Sequence, residues 1–217
     1  MDEATRAEMI ATPAAEMPPG LIREYSNSAH GVPPKHDDLR VLLPRYMELI
    51  AGGEAVDTLE IGVELSRFGQ AIAAAPGFLS DAQAGAYSDW GCCLLAAWPV
   101  RRHLLSHQAA LLYPLEMLIV GGVAPGALFA RMEELLDDRA RLAAFAEAVL
   151  WDLDPDGTLD LYALKQAGGV GAVAFLEWMT LDGMRNRLEE LATDPASPAQ
   201  AAEAGRIVAE RLDLIHL

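Results

Sequence analysis

Positive charge is scarce in this sequence. Sixteen lysines and arginines stand against 32 aspartates and glutamates, a net charge of −16 over 217 residues. A surface of that sign repels phosphate backbones and anionic lipid, which sets aside conventional nucleic-acid readers and polybasic membrane binders. Aromatic residues are also few, at 6%, although 52% of the chain is hydrophobic. Alanine and leucine supply much of that apolar content, and both favour closely packed helices.

Cysteine is nearly absent. The two that occur, Cys92 and Cys93, are adjacent in "WGCCLLAAW", and neighbouring cysteines bridge only through a strained ring. Their expected role is that of small buried hydrophobes. A chain of this length needs no disulfide or metal staple to bury a core. Long apolar runs are missing too: "MLIVGGVAPGALFA" is interrupted by glycine and proline, and "MDEATRAEM" at the start is acidic, with no apolar signal-peptide core. These features predict a cytoplasmic protein with no membrane span.

The apolar residues that are present fall into helical periods. Five of the thirteen prolines lie in residues 1–36 (Pro13, Pro18, Pro19, Pro33 and Pro34), which predicts an irregular N-terminal arm there, with room for a short helix in the first dozen residues, and an all-helical domain over 37–217. Leu39, Leu42, Leu43, Tyr46 and Ile50 keep 3–4 spacing, with Pro44 inside the run. Asp57 with Glu60, and Ser80 with Gln83, read as capping boxes. The segment after Ser80 becomes apolar on every side and is expected to be the central buried helix, with Trp90 and Trp98 in the core. "MLIVGG" fits helix or strand. Pro125 opens a helix to about Asp137, and another runs from about Asp138 to Trp151. Ser197 and Pro198 read as N-cap and first residue of a last helix, whose stripe is Ala201, Gly205, Val208, Leu212 and Ile215. The fold class expected is all-α: one irregular multi-helix bundle or orthogonal array of about eight helices.

Catalytic motifs are the next absence. The glycine clusters "AGGEAV", "IVGGVAPG" and "AGGVGAV" lack the lysine and hydroxyl of a P-loop. His103 and His107 have the spacing of two metal ligands on one helix face, but "HLLSH" lacks the metalloprotease glutamate, and Arg101 and Arg102 adjoin it. Glu116 completes that set only if a turn returns it. His30, His36, Asp37 and Asp38 form a looser cluster, for which helix capping and first-turn charge suffice.

The most suggestive stretch is "WDLDPDGTLDL", residues 151–161. Asp152, Asp154, Asp156 and Asp160 occupy positions 1, 3, 5 and 9 of a calcium loop, with Gly157 at position 6. Position 12, where a bidentate glutamate belongs, is Ala163. Asp154-Pro155-Asp156-Gly157 equally has the residues of a type I turn. The turn is the expected reading and no cofactor is called for; calcium is the alternative the loop offers.

Excess negative charge with no reaction centre points to a non-catalytic protein that binds a basic protein partner, such as an immunity-type, toxin-neutralising protein or an adaptor. The contact residues expected are Glu133, Glu134, Asp137 and Asp138 of "EELLDD", and Glu189 and Glu190 of "LEEL". The alternative is a metal-binding protein or metal-dependent hydrolase built on the Asp152–Asp160 loop or on His103 and His107.

Overall fold

The computed structural model describes residues 1–28, 36–54, 56, 65–98, 111–167 and 170–217. It is all-helical, with twelve α-helices rather than the expected eight or so, and only isolated β-bridges among the described residues. The helices are α1 (Glu3–Ala11), α2 (Pro19–Ser28), α3 (His36–Ala51), α4 (Ser66–Ala74), α5 (Asp81–Ala97), α6 (Leu112–Val120), α7 (Pro125–Leu135), α8 (Arg139–Trp151), α9 (Tyr162–Ala167), α10 (Val170–Met179), α11 (Asp182–Thr193) and α12 (Ala199–Arg211). The count is higher because α1 and α2 lie in the segment read as an arm and because residues 170–193 are divided in two at Thr180 and Leu181.

α1 falls where the first dozen residues leave room for a short helix, but residues 14–28 are largely helical too, where the prolines predict an irregular arm. Pro18 and Pro19 start a helix rather than prevent one. The Pro18 carbonyl accepts from Leu21 and Ile22 N–H, and Pro19 stands first in α2, where a missing N–H removes no helical bond. Leu21 and Ile22 are buried, and the buried Ser26 hydroxyl ties α2 to α3. It donates to the Val56 carbonyl at 2.8 Å and lies 2.6 Å from the Tyr46 hydroxyl, which must then be the donor. α3 continues through Pro44, which is exposed and withholds one amide donor from the helix.

The central buried helix is α6, not α5. Leu112 and every residue from Pro114 to Val120 are buried, and α6 packs against α4, α5, α8 and α9. This settles "MLIVGG" as helix followed by a glycine turn. α5 buries only Tyr87, Gly91, Leu94 and Leu95. Its alanines and cysteines raise the apolar content without the bulk that demands burial. Trp90 and Trp98 are half-buried against the core rather than within it. α4 crosses the end of α6 so closely that a Cβ on Gly69 would stand 1.9 Å from the Val120 carbonyl oxygen.

α8, α11 and α12 form a tight three-helix unit. Arg139 at the start of α8 pairs with Asp194 just past the end of α11, and its guanidinium also reaches Ser197, before α12. At the opposite end, Arg185 in the first turn of α11 bonds the Ala209 carbonyl and Asp213, at and beyond the last turn of α12. α8 and α12 therefore run parallel, with α11 antiparallel to both. The predicted stripe of α12 is buried throughout: Ala201, Gly205, Val208, Leu212 and Ile215. α12 begins one residue later than expected, because Pro198 is extended and caps a helix starting at Ala199.

Candidate interaction surface

The end of α7, the turn into α8 and the last turns of α11 carry the six predicted contact acids. Glu133, Glu134, Asp137, Asp138, Glu189 and Glu190 are all exposed. Asp137, just past α7, pairs with Arg187 of α11, so the two acidic segments meet at one place. Three of the six are engaged within the chain. Asp137 holds Arg187, Glu134 pairs with Arg131 one turn back, and Asp138 caps α8 by accepting from Ala140 N–H at 2.8 Å and Arg141 N–H at 3.1 Å. Exposed pairs of this kind contribute about 0–1 kcal/mol each. The carboxylates of Glu133, Glu189 and Glu190 make no ion pair or hydrogen bond to a described residue, whereas the backbone carbonyls of Glu189 and Glu190 accept from the Thr193 hydroxyl.

The aspartate stretch folds as a turn. Gly157 N–H donates to the Asp154 carbonyl at 3.0 Å, closing the i to i+3 bond, and Asp154 N–H donates to the Thr158 carbonyl at 2.8 Å. Leu153 and Leu159 pair as an antiparallel bridge on either side. This is the three-residue hairpin loop in which the residue after a type I turn is left-handed, and Gly157 has φ +93°. The C-terminal segment adds a parallel bridge between Thr158 and His216: Leu159 N–H bonds the His216 carbonyl at 2.7 Å, and His216 N–H bonds the Gly157 carbonyl at 3.0 Å. A Cβ on Gly157 would lie 2.2 Å from the Leu214 carbonyl oxygen, so only glycine admits that segment.

The aspartates themselves point to different tasks. Asp156 accepts from Thr158 N–H at 2.9 Å. That bond, with help from the Thr158 hydroxyl and the nearby His216, holds its carboxyl below the usual aspartate range. Asp160 pairs with Lys165 at 2.8 Å. Asp152 is half-buried at the end of α8, and its carbonyl accepts from Asp160 N–H at 2.7 Å. Asp154 is exposed. Among the described residues, no three histidine, cysteine, aspartate or glutamate side chains gather as a metal-holding group.

The remaining candidates divide between described and undescribed positions. His30, His103 and His107 lie outside the described residues. Glu116, considered as a partner for the last two, is buried on α6 and accepts from Leu164 N–H at 3.1 Å. His36 opens α3 with its ring edge-on to Phe78 at 6.0 Å. The cysteines are not both buried as expected: Cys92 is partly covered and Cys93 is exposed. Burial and the nearby Asp89 push the Cys92 thiol up, away from a reactive thiolate. An apolar hollow of about 160 Å³ lies between α4, α5 and the turn after α6, lined by Ile72, Phe78, Tyr87 and Val123 among others. Small-molecule sites usually need about 300–1,000 Å³.

One residue escaped the sequence reading. Trp151 is 77% exposed at the end of α8, beside the aspartate turn. Helical period gives the signal that could have found it. Leu142, Phe145, Ala146 and Val149 bury the inner face of α8, which leaves 144, 147 and 151 on the outer stripe. Trp178, by contrast, is buried against Phe129, Phe145 and Phe175.

Comparison with family models, with curated proteins and with solved structures gives no match in any of the three. Among the described residues, no helix is long and apolar enough to cross a membrane.

Proposed function

We propose that this chain is a non-catalytic cytoplasmic module that binds a basic protein partner through an acidic helical surface, as an immunity-type, toxin-neutralising protein or an adaptor does. The observation that supports this reading most is the meeting of the two acidic segments at the Asp137–Arg187 ion pair. It brings the end of α7, which carries Glu133, beside α11, which carries Glu189 and Glu190. A fixed field of one sign raises the encounter rate with a partner of the other sign and rejects partners of like sign. The net charge of −16 acts in the same direction at long range.

The test is a charge-matched comparison. Calorimetric titration of the chain with a short peptide of alternating arginine and glycine measures affinity. The triple variant E133Q/E189Q/E190Q removes the same charge as E3Q/E8Q/E16Q, whose sites lie on α1 and the turn after it. The proposal expects the first triple to weaken binding several-fold more than the second. Equal losses mean that net charge alone acts, and the assigned surface is wrong.

A further inference from the structure

Trp151 stands where a helix ends and covers none of the core. Its indole is 77% exposed, while the other three tryptophans are buried or half-buried. The two arginines that stack on aromatic rings among the described residues use Phe78 and Tyr25, so no described cation of this chain takes the Trp151 ring face. Glu147 lies one helical turn back on the same outer stripe. On the other side, Asp154 and Asp156 ride on the turn, which is fixed by its own two cross-bonds and by two more to the C-terminal segment. The result is an exposed indole at the end of a helix, with carboxylates one turn before it and on the turn just after it, on a backbone that is already bonded; Arg211 reaches this turn only at the Asp154 carbonyl, 3.4 Å away.

We infer that Trp151 and the turn beside it are the docking point for an arginine or lysine side chain of a basic protein segment. This rests on the acidic-module reading and adds a specific anchor to it. The chemistry selects that occupant. A guanidinium or ammonium group over an indole face is attracted by the ring quadrupole, and tryptophan is the best such ring. The carboxylates of Asp154 and Asp156 then supply the countercharge, which the planar fork of arginine meets best. A second copy of a chain with charge −16 is repelled, as are an anionic bilayer and a nucleic acid. α8 has 13 residues and so separates this point from the acidic segments at its other end by about 20 Å. One interface of ordinary size, roughly 800 Å² per partner, spans both.

The experiment is a fluorescence and calorimetric titration of the full chain with the arginine–glycine peptide. The variants are W151A, W151F and D154N/D156N, with E133Q/E189Q/E190Q alongside. Trp151 and Asp154 are exposed, so the tryptophan variants should keep their denaturation midpoints, and D154N/D156N should lose only the small contribution of the Asp156–Thr158 bond, so that every affinity is read on folded chain. W151A should weaken binding about tenfold, in the range of an interface anchor. W151F should lose less, and D154N/D156N should lose several-fold. Loss of affinity in the acidic triple alone overturns the anchor while leaving the acidic-module reading intact. No binding by the unmodified chain sinks both. A sedimentation shift from dimer to monomer on W151A assigns the surface to a second copy, and W151-dependent binding to phosphatidylcholine vesicles assigns it to lipid. Either result overturns the inference.

Discussion

Gly69 of α4 lies against the carbonyl of Val120 at the end of α6, so closely that a Cβ on Gly69 would stand 1.9 Å from the oxygen. Neither backbone can yield without moving a helix that is buried throughout, so this crossing fixes how α4 sits on the centre of the fold. Gly183, in the first turn of α11, meets nothing within 4 Å. The same substitution therefore has opposite signs at the two sites. Gly183→Ala gains helix propensity and should stabilise by about 0.5–1 kcal/mol. Gly69→Ala forces overpacking and should destabilise by about 1–3 kcal/mol or more, despite the same gain in propensity. Urea midpoints of the two variants check this; a neutral Gly69→Ala contradicts the packing described.

The aspartate turn should be indifferent to calcium. Asp156 is committed to Thr158 N–H and Asp160 to Lys165, and the bidentate position is Ala163. Thermal unfolding with millimolar calcium and with chelator should coincide. A rise of several degrees with calcium, of the size expected when a ligand binds only the folded state, means the loop is a metal site after all. Gly157→Ala, by contrast, should lower the midpoint clearly, since φ there is +93° and the Leu214 carbonyl blocks a Cβ.

Acid should loosen that turn. The carboxyl of Asp156 titrates below its ordinary value because it accepts from Thr158 N–H. A lowered folded pKa means that the unfolded chain binds the proton more readily. The contribution is therefore complete above the ordinary aspartate value of about 3.9 and fades as pH falls through the lowered folded value. Asp156→Asn should remove this dependence. Stability of the unmodified chain followed from pH 5 downward, against the variant, reads it: the two curves should converge at low pH. Parallel curves would show that the hydrogen bond carries no linkage.

Ser80→Ala should cost about 1 kcal/mol, because it opens a complete capping box. Ser80 Oγ accepts from Gln83 N–H at 3.3 Å, and Gln83 Oε1 accepts from Ser80 N–H at 2.9 Å. Guanidinium denaturation measures the loss, and Gln83→Ala should lose part of it.

That capping box was legible in the sequence because it is local. The same holds for Pro125 opening α7, for a helix beginning near Asp138, and for the Asp154–Gly157 turn, all of which are set by residues within four positions. The buried stripe of α12 was legible because its period is unbroken. What failed was non-local. α6 has no polar face, so periodicity carried no information about its conformation or its central place. α5 looked central because alanine and cysteine count as apolar while demanding little burial. The prolines at 18 and 19 looked disruptive because their effect depends on whether they fall before or inside a helix. The six acidic residues could be picked out one by one, but their meeting required Arg187 to reach Asp137 across fifty positions. The exposure of Trp151 depended on what α8 packs against.

The most direct measurement of the central claim is the association rate between this chain and the arginine–glycine peptide as salt is raised. The Debye length falls from about 30 Å at 0.01 M to about 8 Å at 0.15 M, so an acidic docking surface should lose rate steeply over that range. E133Q/E189Q/E190Q should flatten the dependence, and E3Q/E8Q/E16Q should change it much less. A rate insensitive to salt, or a triple variant that leaves the slope unchanged, contradicts the claim.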